Sequence, residues 1–167
     1  MKNISLFFLA ILLFSGCGIK YSLSFSGIDL GKAETVSIKY FDNIAPIVNP
    51  DLSQVIYDGM VQRFVSQTPL DLVQRDGDLH FEGQITGYDV KPIDIQAGET
   101  AASNRLTVTV KVKFVNFTKP ENNFEKSFSW YADYSNSQNL SDVESELIEE
   151  ISEKIIDDIF NSSVVNW

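Results

Sequence analysis

The fold is decided by residues 104–116, which read NRLTVTVKVKFVN. Every second side chain is apolar, and Arg, Thr or Lys side chains occupy most positions between them; the apolar set is Leu106, Val108, Val110, Val112 and Phe114. This period of two predicts a long strand with one buried and one solvated face. A short polar link at 118–123 and a second alternating segment at 124–134 follow, so we predict an antiparallel hairpin. Phe128, Trp130 and Ala132 are the expected inward residues of its second strand.

Two amphipathic helices are predicted on either side of this hairpin. The first begins at Asn49-Pro50-Asp51, which offers a capping amide, a proline for the first turn and a favourable acidic charge. It ends near residue 66 and presents one apolar face, made of Leu52, Val55, Ile56, Met60 and Phe64. The second begins at a capping box, residues 141–144, which read SDVE. Its apolar face is made of Leu147, Ile148, Ile151, Ile155, Ile159 and Phe160.

Three further strands are predicted at 35–41, 70–74 and 79–88. A tight turn at 75–78 joins the last two, and Gly77 is expected to take a positive φ there. Glycines at 83 and 87 suggest a bulge in the third strand, and a long loop is expected at 91–103. The order is a strand, a helix, three or four strands and a helix, which in its shorter form is β-α-β-β-β-α. We therefore expect an α+β fold: a two-layer sandwich with a four- to five-stranded, mostly antiparallel sheet and both helices on one face.

The N-terminus has the plan of a secretory signal. Lys2 is followed by an apolar run at 4–14, which is shorter than the ~20 residues of a membrane-spanning helix. Residues 14–17, read as FSGC, resemble the bacterial lipobox, in which the cysteine is acylated and the chain is cut before it. We expect a signal peptide at 1–16, lipid attachment at Cys17, a lipidated tether at 17–34 and a single domain at 35–167. Gly18, not Asp, directly follows Cys17, so the resemblance implies the periplasmic face of the outer membrane.

Composition excludes several functional classes. The 13 basic and 23 acidic residues give a net charge of −10, which disfavours a nucleic-acid binder. One cysteine and one histidine allow neither an intrachain disulfide nor a Cys/His zinc site. His80 is the only general-base candidate near neutral pH, and no nucleophile motif accompanies it. The acidic second helix is interpreted as a solvated face, so we expect no catalytic residue, no metal site and no cofactor.

A basic strip is the most informative polar feature. Arg105, Lys111 and Lys113 share the outer face of one predicted strand in an otherwise acidic chain. One interpretation is ordinary cross-strand pairing with Glu125 and Asp133. The other is a docking strip for the phosphates of a lipid headgroup.

Several short segments, taken in order, resemble the LptE-like lipopolysaccharide-assembly lipoproteins. They are the lipobox with GIKYS at 18–22, YFDN at 40–43, NPDLS at 49–53, QTPL at 67–70, GDLHFEG at 77–83, NRLT at 104–107, IFN at 159–161 and the closing Asn166-Trp167. The resemblance covers nearly the whole chain after Cys17 and implies the same β-α-β-β-β-α plan. It implies a non-enzymatic protein that partners an LptD-type outer-membrane β-barrel, occupies its lumen and helps insert lipopolysaccharide. The alternative is a free-standing, periplasm-facing lipoprotein that binds glycan or serves another envelope-assembly machine.

Overall fold

The computed structural model describes residues 27–93 and 103–165. The predicted signal peptide, Cys17, most of the predicted tether, the centre of the predicted 91–103 loop and Asn166-Trp167 lie outside the described residues. None of the described helices has the length and apolar character to cross a membrane.

Six strands and two α-helices make up the described domain. In chain order they are β1 (Thr35–Ile38), β2 (Asp42–Asn43), α1 (Leu52–Gln67), β3 (Asp71–Leu72), β4 (Leu79–Ile93), β5 (Ser103–Asn116), a 3-10 turn (Pro120–Asn122), β6 (Phe124–Ser135) and α2 (Leu140–Val164). The α+β class and both helices are confirmed. β4 runs on to Ile93 and β5 begins at Ser103, so both ends of the predicted loop at 91–103 belong to strands.

The sheet is mixed, which corrects the expectation of a mostly antiparallel sheet. Its order is β3-β1-β4-β5-β6, with β2 also pairing with β4. β4, β5 and β6 form an antiparallel meander, but β1 runs parallel to both β3 and β4, and β2 runs parallel to β4. The cause is helix α1, which returns the chain to the starting end of the sheet so that β3 runs in the same direction as β1. The predicted bulge in β4 is confirmed between Ile85 and Gly87.

The core lies between the inner face of the sheet and the two helices. Phe64 of α1 is fully buried, 4.8 Å from the ring of Phe81 on β4 and 5.1 Å from Phe160 on α2, measured between centroids. The predicted inward residues of β5 are all fully buried. The alternation in 104–116 therefore identified the core face of the sheet.

Trp130 is an exception on this inner face. The register places it opposite the buried Val108, yet 39% of its surface is exposed, so its expected burial is wrong. β6 is the last strand of the sheet among the described residues, so no further strand covers its outer edge. Phe128, two residues earlier, is 5% exposed as expected.

The connection from β3 to β4 differs from the predicted turn. Asp76, not Gly77, takes the positive φ, at 55°. A Cβ on Gly77 would lie 2.6 Å from the backbone nitrogen of Ser37 and 2.8 Å from the carbonyl carbon of Val36. Gly77 is therefore required for close contact with the backbone of β1, which lies between β3 and β4.

The start of α2 also differs from expectation. Helix α1 has the predicted cap, because Asn49 Oδ1 accepts hydrogen bonds from the backbone amides of Asp51 and Leu52. Helix α2 begins at Leu140, and its capping residue makes no side-chain cap, so the predicted capping box is wrong. Glu144 instead accepts hydrogen bonds from the hydroxyl of Tyr88 and the side-chain amide of Asn49. These contacts join the N-terminal part of α2 to β4 and to the residues just before α1.

Candidate functional site

A charged cleft of about 310 Å³ lies on the outer face of the sheet. Lys111 and Lys113 of β5 reach it from one side, and Lys39, which follows β1, reaches it from the other. The parallel pairing of β1 with β4 continues to Lys39, whose backbone amide donates to the carbonyl of Phe81 at 2.9 Å. We call this feature the lysine cleft; its lining residues are Lys39, Tyr40, Asp42, Glu82, Gly83, Gln84, Lys111, Lys113 and Glu125.

Glu82 of β4 lies between two of these lysines. Its carboxylate accepts from Lys113 Nζ at 2.7 Å and from Lys39 Nζ at 2.8 Å. These two charged hydrogen bonds, with that from Lys113 the stronger influence, lower the pKa of Glu82 to about 2. In turn, Glu82 raises the pKa of Lys113.

The third lysine has its own partner. Lys111 Nζ lies 2.5 Å from Glu125 Oε1 of β6, and this hydrogen bond lowers the pKa of Glu125. About half of each side chain in this pair is exposed, as is half of Lys113. The cleft therefore presents three solvent-accessible ammonium groups whose present partners are carboxylates, a setting in which a phosphate can compete.

The three residues of the predicted basic strip do not lie together: Arg105 is outside the cleft that contains Lys111 and Lys113. Arg105 makes two hydrogen bonds to Asp133, at 2.7 and 2.9 Å, and its guanidinium lies 3.6 Å from the ring centroid of Tyr131. It is six residues from Lys111 along β5, a separation of roughly 20 Å. The predicted cross-strand pairing holds for Arg105 with Asp133 and for Lys111 with Glu125. Lys113 pairs with Glu82 on the other neighbouring strand instead.

Sequence reasoning missed Lys39 and Glu82 as members of the cleft. In a strand that starts at Thr35, the alternation of side chains places Lys39 on the outer face. This is the only signal in the sequence that Lys39 could belong to the cleft. Its position beside Glu82 depends on β1 lying next to β4, and that neighbour relation follows from the crossover through α1 rather than from any local pattern.

His80 contacts a buried serine. Its Nδ1 lies 2.7 Å from Ser37 Oγ, and Ser37 in turn accepts a hydrogen bond from the backbone amide of Gly77 at 3.1 Å. Burial, followed by the positive charge of Lys39, lowers the pKa of His80. Ser37 is 1% exposed, so its hydroxyl cannot reach a substrate, and the contact fixes the β3–β4 connection against β1. Across 27–93 and 103–165, no three His, Cys, Asp or Glu side chains converge as metal ligands would.

Comparisons with known families and solved structures show what the sequence and the fold resemble. The sequence profile of LptE, described as lipopolysaccharide-assembly, matches residues 33–163. Among solved structures, the hypothetical protein CT253 from Chlamydia trachomatis has a TM-score of 0.51 at 9% identity, covering 78% of this chain and 98% of that one. A putative neuraminyllactose-binding hemagglutinin homolog from Helicobacter pylori has a TM-score of 0.50 at 9% identity, covering 78% and 82%. At such identities the likeness extends to the fold alone. No curated protein sequence matches the chain significantly.

Proposed function

The chain belongs to the LptE lipopolysaccharide-assembly family, and we propose that it is a non-enzymatic outer-membrane lipoprotein that partners an LptD-type β-barrel. In this role it assists the transport and insertion of lipopolysaccharide. A lipid on Cys17 anchors it at the periplasmic face of the outer membrane, and the domain enters the barrel lumen. Family membership supports the lipopolysaccharide-assembly role, and the lipobox-like residues 14–17 support the anchor.

The lysine cleft is the observation that carries the lipopolysaccharide part of the proposal. Lipid A carries phosphates, and ammonium groups on a rigid strand bind phosphate by charge-assisted hydrogen bonds. Lys111 and Lys113 are on the same strand, and Lys39 faces them across Glu82. We propose these three lysines as the principal phosphate contact, with Arg105 as a separate contact further along β5.

The existing ion pairs do not prevent this binding. Exposed pairs are worth roughly 0–1 kcal/mol each, because water and salt already screen them. A phosphate group carries up to about two negative charges and three acceptor oxygens, whereas each carboxylate carries one charge. An incoming phosphate can therefore displace Glu82 or Glu125 from a lysine at small energetic cost.

Substitution of the cleft lysines tests the docking proposal. Lys39, Lys111 and Lys113 are replaced together by Gln, and lipopolysaccharide binding is measured with the purified mature lipoprotein in a non-ionic detergent. The matched control replaces Lys32, Lys91 and Lys154, which lie outside the cleft and carry the same total charge. We expect weaker, less salt-dependent binding for the cleft variant only. Equal loss in both variants would show a general charge effect and would refute the docking site.

Affinity purification from outer membranes tests the partner. We expect a β-barrel protein to be recovered in stoichiometric amount after crosslinking, and the Cys17→Ala protein to recover less of it. Recovery of a soluble glycan ligand with no barrel would refute the barrel partnership and would favour the free-standing binding lipoprotein.

A further inference from the structure

The outer edge of β6, which faces away from β5, is open along its whole length in the described part of the chain. β6 has 12 residues, and β5 is its only described partner. Alternate residues of an open edge direct their backbone amide and carbonyl groups outward, so the edge can accept another strand. Two aromatic side chains are exposed on β6: Trp130 at 39% and Tyr131 at 46%. The edge therefore offers both backbone hydrogen bonds and apolar surface to a pairing strand.

The N-terminal segment reaches the domain beside the start of β6. Asp29 pairs with Lys119 at 2.6 Å, and Asp29 also lines a small cavity with Asn122, which lies two residues before β6. Gly27 makes a turn with φ at 105°, in the region that favours glycine, so the chain changes direction there. The residues that precede Gly27 therefore approach the domain at the end of the edge where β6 begins.

Residues 20–26, which read KYSLSFS, have the pattern of a strand with one apolar face. Tyr21, Leu23 and Phe25 alternate with three serines, and a period of two is typical of a half-buried strand. Seven extended residues span about 23 Å, and Trp130 lies six residues, or about 20 Å, along β6 from its first residue. The segment is therefore long enough to cover the edge from the start of β6 to Trp130.

We propose that residues 20–26 form a strand that pairs antiparallel with the outer edge of β6. The direction follows from the connection, because β6 runs away from the point of entry and residues 20–26 run towards it. The turn at Gly27 joins the segment to that point, so its effective concentration at the edge is on the order of millimolar, which favours it over a strand from another molecule. On the proposed anchoring, pairing leaves only Gly18 and Ile19 between the lipid on Cys17 and the domain, which holds the domain against the membrane.

The alternation on both strands limits the register. A pairing that sets Tyr21 opposite Trp130 also sets Leu23 opposite Phe128, so aromatic and aliphatic side chains meet on the inner face of the sheet. The serines of the segment then lie on the outer, polar face. A shift by one residue would set serine against Trp130 and expose the three apolar side chains to water. The favoured register therefore covers Trp130 and extends the core face of the sheet.

Hydrogen–deuterium exchange of the full mature chain in non-ionic detergent tests the pairing, read from peptides that cover β6 and residues 18–26. The edge variant replaces Tyr21, Leu23 and Phe25 by Ser, and the matched control replaces them by Val, which keeps the alternation and the preference for strands. We expect the β6 peptide to exchange at least about tenfold faster in the edge variant only, because edge amides without a partner are poorly protected. A β5 peptide that stays protected in both proteins shows that the fold is intact.

Trp130→Ser provides the reciprocal test, and Ile47→Ser, at another exposed apolar residue away from β6, is its control. We expect faster exchange in residues 20–26 for Trp130→Ser only. Equal exchange of β6 in the wild-type protein and the edge variant would overturn the proposal. Protection of β6 that appears only at high protein concentration, or only after a β-barrel partner is added, would overturn the assignment to the chain's own segment.

Discussion

Replacing Glu82 by Gln should change stability and anion binding in opposite directions. The carboxylate of Glu82 bridges Lys39 and Lys113 across the lysine cleft, at 2.8 and 2.7 Å. Gln keeps nearly the same shape and removes the charge. The folded protein therefore loses two ion pairs, and two lysines lose the carboxylate with which a phosphate must compete.

The stability effect can be given a magnitude and a pH window. Two solvent-accessible pairs are worth roughly 0.2–1 kcal/mol each, so the substitution should cost roughly 0.4–2 kcal/mol near neutral pH. The pKa of Glu82 is lowered from 4.5 to about 2 on folding. A depressed folded-state pKa stabilises the protein above the unfolded-state value, and that contribution is lost as pH falls through the folded-state value. The difference between the two proteins should therefore be complete above about pH 5 and disappear as the pH approaches 2.

Urea titrations across this pH range measure the free energy of unfolding. Lipopolysaccharide binding, measured near neutral pH, tests the effect on anion binding. We expect Glu82→Gln to bind lipopolysaccharide more tightly than the wild-type protein at low salt. Glu125→Gln is the matched control, because it removes the same charge from the cleft but frees only Lys111, and should show a smaller gain. A stability difference that does not change with pH would refute the ion-pair account. Unchanged or weaker lipopolysaccharide binding would refute the role of the cleft.

Three further predictions concern the anchor, the core and the floor of the cleft. Cys17→Ala should abolish incorporation of radiolabelled palmitate, and label retained in the variant would contradict lipid attachment at this residue. Phe64→Ala should lower the free energy of unfolding by about 3–5 kcal/mol, because the side chain is fully buried; the half-exposed neighbour Val65→Ala should cost less than about 0.5 kcal/mol in the same denaturant titration. Gly83→Ala should lower the thermal midpoint, because a Cβ there would lie 2.5 Å from the ring of Phe41 and 2.6 Å from the backbone carbonyl oxygen of Lys111; an unchanged midpoint would refute this steric argument.

The elements with regular periodicity were predictable from the sequence. The alternation in 104–116 identified β5 and its buried face, and the i, i+3, i+4 spacing identified both helices, because these patterns record local burial directly. The basic strip was visible for the same reason. Its three members share the outward parity of one strand, and two of them are in the lysine cleft.

The features that sequence reasoning missed all depend on non-local neighbours. Lys39 belongs to the cleft only because β1 pairs with β4, some 40 residues later in the chain. The alternation along β6 places Trp130 on the same face as the core residues. It is nevertheless exposed, because no described strand lies beyond β6. Gly77 reads as a turn glycine, whereas its real constraint is the backbone of β1. A local pattern specifies which face a side chain occupies, and the topology specifies what lies opposite it.

The chain enters the domain nearer to the lysine cleft than to Arg105. The described chain enters the domain where the β5–β6 connection meets the end of α2: the Asp29 amide donates to the carbonyl of Val164 at 2.7 Å, and Asp29 pairs with Lys119 at 2.6 Å. Ten residues, and so eleven Cα-to-Cα steps, lie between Cys17 and Ile28, so on the proposed anchoring a lipid on Cys17 would hold this end of the domain within at most about 38 Å of the membrane surface. Lys113 is three residues from the end of β5 on this side, a distance of about 10 Å, whereas Arg105 is more than 35 Å along the strand from the same end. The three lysines therefore lie nearer than the arginine to the end of the domain that the tether enters.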